Sequence, residues 1–306
     1  MKKETQAKYP HSANLFQFCR KVLDHKFGGI RVIDQDVGQI LGFDPADCSH
    51  WKKGKKNIRS IQAMKSIAQH LGVDEKLVVD VAAGELSDWE AYHEYTGYGD
   101  FFIDPKLFDH AKKEFYQKHA NTWTREKEQE FKQQFNLNED KIDSLVIDIH
   151  QTINFSEAPL YLPEVIASYP DLSMKPFEAT EDETQKAQVR LRQASDADKS
   201  VIEYPMDVKM RPFIRYRIAK AMSEHFFKKA ELDTPAEFGE HSKKIAEIQA
   251  NLFAAKLLTP ANLVRSEMNH INVAKDLVSQ LAEIFWVSKT FMNGRLKEIL
   301  QKSPRI

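Results

Sequence analysis

Cysteine is nearly absent from this chain, with only Cys19 and Cys48 among 306 residues. Two thiols set inside apolar patterns exclude a disulfide framework and read as buried free thiols of a reducing compartment. Glycine (11) and proline (12) are sparse, which excludes collagen-like and low-complexity architectures. No run approaches the roughly 18 consecutive apolar residues of a bilayer span. The opening Met1-Lys2-Lys3-Glu4-Thr5-Gln6 carries no apolar secretory core, so a cytoplasmic location is expected and no membrane partner. A phosphate-cradling glycine-rich loop, a G-x-S-x-G elbow and a Cys–His constellation are missing too. What is present is ordinary globular material, 42% hydrophobic and 29% charged, long enough for two domains.

The net charge of −1 hides an asymmetry. Residues 1–84 hold 14 Lys and Arg against 9 Asp and Glu, whereas the remainder holds 30 against 36. A basic first part on an acidic remainder suits a polyanion that meets the first part only.

Helix-period apolar spacing dominates. Leu15, Phe16, Cys19, Val22 and Leu23 recur at the three-and-four spacing of a buried stripe. Short helices are predicted over Gln35–Leu41, Pro45–Lys52, Ser60–Leu71 and Glu75–Ala82. Asp44 suits an N-cap and Pro45 a first helical position, while Gly54 and Gly72 fall where helices should stop. From Glu85 to Phe102 the composition turns aromatic, with Trp89, Tyr92, Tyr95, Tyr98, Phe101 and Phe102. That segment reads either as a connecting or dimerising stretch or as packing within a domain. Helices over Pro105–His119 and Arg125–Phe135 follow, then a second domain after Asn138. It opens with helices over Asp140–Ile153 and Leu160–Tyr169 and a strand over Leu172–Phe177. Ala187–Arg192 alternates with period two, and an Asp196-Ala197-Asp198 turn would join it to a strand over Ser200–Tyr204 as a hairpin. Beyond Arg211 the pattern is helical.

Five short helices with a tight Gly42-Phe43-Asp44 turn between the second and third suit a DNA reader, which needs a rigid core holding its third helix proud. Val37, Ile40 and Leu41 would pack the second helix, and Cys48 and Trp51 the inward face of the third. The outward face then presents Ala46, Asp47, Ser49 and His50. Beyond it lie Lys52, Lys53, Lys55, Lys56 and Arg59, cations that can reach flanking phosphates and fix register. The stretch from Asp36 to Phe43, the Ser49–Lys55 segment, and Ile67-Ala68-Gln69-His70-Leu71-Gly72-Val73 together resemble the XRE (Cro-like) helix-turn-helix family over about residues 12–84. The resemblance implies that Ala46, Asp47, Ser49 and His50 stand at base-reading positions and that Gln35 and Gln39 approach the DNA backbone. Gly38 departs from the usual Ala, and the Phe27–Ile33 connection is longer than usual.

The second half contains Glu247-Ile248-Gln249-Ala250-Asn251-Leu252-Phe253-Ala254-Ala255-Lys256-Leu257-Leu258-Thr259-Pro260. It continues with Leu281-Ala282-Glu283-Ile284-Phe285-Trp286-Val287-Ser288, Met292, Arg295 and Leu296. These are similar to the ImmA/IrrE-type zinc metallopeptidases over about residues 140–300. That chemistry needs H-E-x-x-H on one helical face, with two imidazoles on zinc and the Glu as general base. Through Ile218-Ala219 the resemblance places Lys220, Ala221 and Glu224 at those positions and Glu247 at the acidic third ligand. An ammonium, a methyl and two carboxylates do not make that zinc site. A Lys220–Glu224 pair at i,i+4 spacing, with Glu247 nearby, would close it instead. Sliding the register to His225 restores no pair, because its i−4 neighbour is Ala221. A rearranged site from Glu224, His225, His241 and Glu247 has no spacing logic behind it.

The expected fold class is therefore mainly α. A five-helix helix-turn-helix domain spans 10–84, an aromatic-rich helical connector 85–138, and an α+β zincin-like domain with a small sheet 139–303. The leading functional expectation is a transcriptional regulator that binds double-stranded DNA, nucleoid-associated when bound and working as a homodimer. Its catalytically inactive peptidase-like domain would hold neither metal nor cofactor and would act as a sensor of a small-molecule or protein effector or as a dimerisation module. Two other readings stand beside it: a metal-dependent anti-repressor peptidase with a non-standard site, and an antitoxin-like regulator whose main partner is a protein.

Overall fold

The protein was studied as a computed structural model, which describes residues 7–98, 105–135, 137–180, 183, 188–193, 199–206, 210–232, 240–271 and 276–301. Its contacts divide the chain into two compact units that part between Gly97 and Tyr98. The structure is mainly helical, with one small mixed sheet. Among the described residues no helix is long and apolar enough to cross a membrane.

The first unit is built from α1 (Pro10–Lys26), α2 (Asp34–Leu41), α3 (Pro45–Lys52), α4 (Ile61–Leu71), α5 (Glu75–Ala83) and α6 (Asp88–Thr96). Local chemistry sets these boundaries. The Asp44, Ser60, Asp74 and Ser87 side chains each accept a backbone N–H from the first turn that follows, satisfying donors a helix leaves open. The stripe on α1 buries Leu15, Phe16, Cys19, Val22 and Leu23, against which Val37, Leu41, Cys48, Trp51, Ile67 and Val78 close a core. Both cysteines are buried free thiols.

The stretch expected as a connector, 85–138, does not stand apart. Up to Gly97 it belongs to the first unit, where α6 packs on α1, Ala91 enters the core, and the Lys21 ammonium pairs with buried Asp88 below the Trp89 ring. From Tyr98 onward it belongs to the second, because Tyr98, Phe115, Phe131 and Phe135 join that unit's core. Of the rings in this stretch Tyr98 is buried, whereas Trp89, Tyr92 and Tyr95 are half-buried. Phe101 and Phe102 lie outside the described residues.

The second unit begins with α7 (Pro105–Lys118), a short 3-10 turn (Ala120–Thr122), α8 (Arg125–Gln134), α9 (Glu139–Thr152) and α10 (Leu162–Ala167). Strands β1 (Leu172–Phe177), β2 (Arg190–Gln193) and β3 (Ser200–Pro205) follow. The chain ends with α11 (Pro212–Lys229), α12 (Glu240–Leu258), α13 (Ala261–Met268), α14 (Leu277–Ile284) and α15 (Lys289–Gln301). The sheet order is β1-β3-β2. β2 runs antiparallel to β3 with Leu191 opposite Ile202, the pairing a hairpin requires, while β1 runs parallel to β3 with Leu172 opposite Ser200. The expected turn at Asp196-Ala197-Asp198 and the strand start at Ala187 lie outside the described residues.

Helices α11 and α12 pack side by side across this unit. The Arg215 guanidinium of α11, 1% exposed, ties distant segments together. It donates to the Leu160 carbonyl at 2.6 Å, to the Phe285 carbonyl at 3.0 Å and to the Trp286 carbonyl, with its carbon 4.5 Å above the Trp286 ring. Burial lowers its pKa to about 10, which still leaves it charged at neutral pH.

Candidate functional site

Two places carry the residues singled out from sequence. The first is the α2–α3 pair. Asp44 Oδ1 accepts the Ala46 N–H at 2.8 Å, so α3 begins sharply after the Gly42-Phe43-Asp44 turn. Its inward face is fixed by Trp51, whose indole N–H donates to the Ser12 carbonyl at 2.6 Å and whose ring lies 5.2 Å from Phe16 and 5.0 Å from Phe43. With Cys48 and Trp51 turned inward, Ala46 and His50 face solvent, and Asp47 and Ser49 are half-buried. Gln35 and Gln39 are exposed one turn apart on α2.

The cations after α3 sit on an anchored loop. Gly54, at φ +60, follows α3 and accepts the Tyr9 N–H on its carbonyl at 2.8 Å. A Cβ at that position would meet Ala7 Cβ at 2.7 Å and the Tyr9 carbonyl oxygen at 3.0 Å, so only glycine fits the close approach. The Lys55 and Lys56 N–H groups both point at the His50 carbonyl, at 2.8 and 3.3 Å. On this frame Lys53, Lys55 and Arg59 are exposed, and none forms an ion pair among the described residues. Lys52 pairs with Asp34 at 2.8 Å and Lys56 with Asp47 at 2.5 Å. Surface pairs of this kind are worth about 0–1 kcal/mol, so a phosphate can compete for either lysine.

The second place is the seam between α11 and α12. Two polar bridges cross it one helical turn apart, in the order an antiparallel pair imposes. The Lys220 ammonium meets Glu247 Oε1 at 3.2 Å, and the Tyr216 hydroxyl donates to Asn251 Oδ1 at 2.6 Å with the Tyr98 carbonyl at 2.9 Å. Burial lowers the Lys220 pKa against the opposing pull of Glu247, and burial raises that of Tyr216. Ala221 is buried and Glu224 exposed. The partner of Lys220 is thus Glu247 across the seam and not the expected Glu224, whose carboxylate acts on the ammonium only through space. The chemistry of this donor set does not fit zinc, since the Lys220 ammonium stands among the candidate ligands and is hydrogen-bonded to Glu247, one of the two carboxylates.

His225 and His241 lie elsewhere. His225 Nδ1 is 2.9 Å from Ser200 Oγ and Nε2 is 3.3 Å from Asp171 Oδ2, with Lys229 also paired to Asp171. Burial lowers the imidazole pKa, partly opposed by Asp171, which favours the neutral ring. His241 pairs with Glu114 of α7 at 3.2 Å. Glu224, His225, His241 and Glu247 are therefore not one constellation. Among the described residues no three His, Cys, Asp or Glu side chains form a group able to hold a metal.

Sequence reasoning missed the Ser200–His225–Asp171 cluster, whose members are 25 and 29 residues or more apart along the chain. Only the β1–β3 pairing brings Asp171 beside Ser200. Comparison of the whole chain with models of protein families, with curated proteins and with solved structures finds no match.

Proposed function

We propose that this chain is a cytoplasmic DNA-binding transcriptional regulator of the XRE helix-turn-helix type, joined to an ImmA/IrrE-like unit that does not cut peptides. One observation carries the DNA reading. The outward face of α3, with Ala46 and His50 exposed, leads directly into a loop that holds Lys53 and Lys55, with Arg59 beyond, exposed and unpaired by carboxylates. A helix proud of its core reads base edges from such a position, and cations beside it contact phosphate. The Lys220–Glu247 bridge and the methyl of Ala221 support loss of hydrolysis, because they stand where the resemblance puts a metal ligand and a general base. One small helix-turn-helix reads few base pairs, and two-fold pairing doubles the contacts, which makes a homodimer on a palindromic duplex the working form.

Fluorescence anisotropy with random-sequence duplex at several salt concentrations tests this. Reversing Lys53 and Lys55 to Glu should weaken binding to every duplex and flatten the plot of log affinity against log salt by roughly 2, about 0.9 per lost phosphate contact. Asp47→Asn should act oppositely, removing an acid from the reading face and releasing Lys56. Affinity that the double reversal leaves untouched would remove the DNA reading. Proteolysis of a repressor by the pure protein, abolished by chelation, would remove the inactive-peptidase reading.

A further inference from the structure

Where α11 meets the sheet, the second unit holds a cavity of about 500 Å³ lined by Asp171, Gln193, Ser200, His225, Lys228 and Lys229 with one proline. That volume falls within the range of small-molecule sites, roughly 300–1,000 Å³. Backbone pairing brings two of these residues together: Ser200 opens β3, and its N–H donates to the Asp171 carbonyl at 2.8 Å. The His225 ring of α11, 4% exposed, stands against both, with Nδ1 2.9 Å from Ser200 Oγ and Nε2 3.3 Å from Asp171 Oδ2. A hydroxyl, an imidazole and a carboxylate in that order are the parts of a nucleophile activated by a base that a third group orients.

Each part is in the state that chemistry needs. Burial pulls the Asp171 pKa upward, but the Lys229 hydrogen bond and the charges of His225 and Lys229 outweigh it, so the carboxylate is ionised. Burial lowers the His225 pKa, Asp171 raises it, and Lys229 and Lys228 lower it again, which leaves the ring neutral. With the carboxylate beside Nε2, the proton of the neutral ring sits there and Nδ1 accepts the Ser200 O–H. The Nε2–Oδ2 contact falls short of an aligned hydrogen bond and strengthens once the ring takes a second proton. Lys228 meets the neutral Gln193 Oε1 at 2.9 Å and pairs with no carboxylate among the described residues, so its ammonium is open to a developing oxyanion. Ser200 is only 3% exposed, which limits its reach to a small acyl group entering the cavity.

We propose that this cavity hydrolyses small esters, with Ser200 as nucleophile, His225 as general base, Lys228 as the cation for the oxyanion and Asp171 as a positioning residue. Nδ1 takes the Ser200 hydroxyl proton as Oγ bonds to the ester carbonyl carbon, then passes it to the leaving alkoxide as the ester C–O bond breaks. Water gives a proton to the same nitrogen and adds to the acyl carbon, and Oγ departs with that proton, leaving acid and alcohol. The proposal goes beyond the DNA reading and holds whatever α3 contacts.

Treating the full chain with diisopropyl fluorophosphate tests it, read by peptide mapping in a mass spectrometer beside the hydrolysis of p-nitrophenyl acetate. One diisopropylphosphoryl group on Ser200, with parallel loss of hydrolysis, is expected; this measurement needs no variant. Ser200→Ala should lower hydrolysis about a hundredfold or more with its thermal melt still cooperative. Asp171→Asn should move the acid limb of the pH–rate profile to lower pH, because it removes the charge that raises the His225 pKa and leaves Lys228 and Lys229 to lower it; a merely structural role would not move that limb. No label on Ser200, hydrolysis that survives full labelling, or an unchanged rate in folded Ser200→Ala would each overturn it.

Discussion

Ser12 shows how one residue sets the posture of α3. Its carbonyl receives the Trp51 indole N–H from α3, and its hydroxyl oxygen receives the Ile58 N–H at 2.7 Å from the segment after the lysine loop. Both ends of the cationic stretch are thereby tied to α1. Ser12→Ala keeps the carbonyl and orphans the Ile58 N–H in the core, at a cost of about 1–3 kcal/mol, measurable as a lower urea midpoint with an unchanged slope. Gly38 makes a related point on α2. A Cβ there would stand 2.9 Å from the Phe43 carbonyl oxygen and 3.0 Å from Cys48 Sγ, so α2 approaches the following turn and α3 too closely for a larger residue to enter without a shift. Gly38→Ala gains about 1 kcal/mol of helix propensity but forces backbone apart, a strain of about 1–3 kcal/mol. A net loss near 1 kcal/mol is expected in the same denaturation assay; a gain in stability would mean that the turn yields freely.

Among the elements, the central strand β3 carries a buried carboxylate whose titration is coupled to folding. Glu203, 4% exposed, lies between Lys175 of β1 and Arg190 of β2 in the same register row. Its carboxylate meets Arg192 at 2.8 Å, Arg190 at 2.9 Å and Lys175 at 3.3 Å. Burial pulls the pKa upward, and these three cations outweigh it, holding the carboxyl below its ordinary 4.5. A carboxylate shifted downward stabilises the fold above its unfolded value, and that contribution is lost as pH falls through the folded one. Glu203→Gln should therefore be less stable than the parent at neutral pH, by about 1–3 kcal/mol, and lose less on acidification below pH 4.5. Parallel pH curves for the two proteins in thermal melts would contradict this. The helices around α3 were legible because their ends are written in local chemistry: Asp44 with Pro45, Ser60 and Gly72 sit at observed boundaries. The strand over Leu172–Phe177 was legible as a strand, yet its parallel partner was not, since nothing in a period-two pattern names a neighbour 28 residues further on.

At the scale of the whole molecule, the same limit applies to the candidate sites. The outward face of α3 could be read from its inward one, because Cys48 and Trp51 fix the phase of eight residues. The partner of Lys220 could not, because helical spacing offers Glu224 while the seam between two helices supplies Glu247. Nor could the place where the first unit ends, since Ala91 and Tyr98 are alike apolar and only packing assigns them to different cores. Those two cores share no residue: one runs from Leu15 to Ala91, the other from Tyr98 to Ile299. Each unit thus has its own reservoir of buried apolar surface, the quantity that makes unfolding cooperative. Scanning calorimetry of the full chain should accordingly resolve two heat-absorption peaks. Ser12→Ala lies in the first core's frame and should lower one of them by roughly 4–24 °C, from its cost of about 1–3 kcal/mol at about 4–8 °C per kcal/mol for a unit of this size. Tyr216→Phe removes the bridge to Asn251 in the second unit and should lower the other. If both substitutions moved a single shared peak, the two units would unfold as one cooperative body.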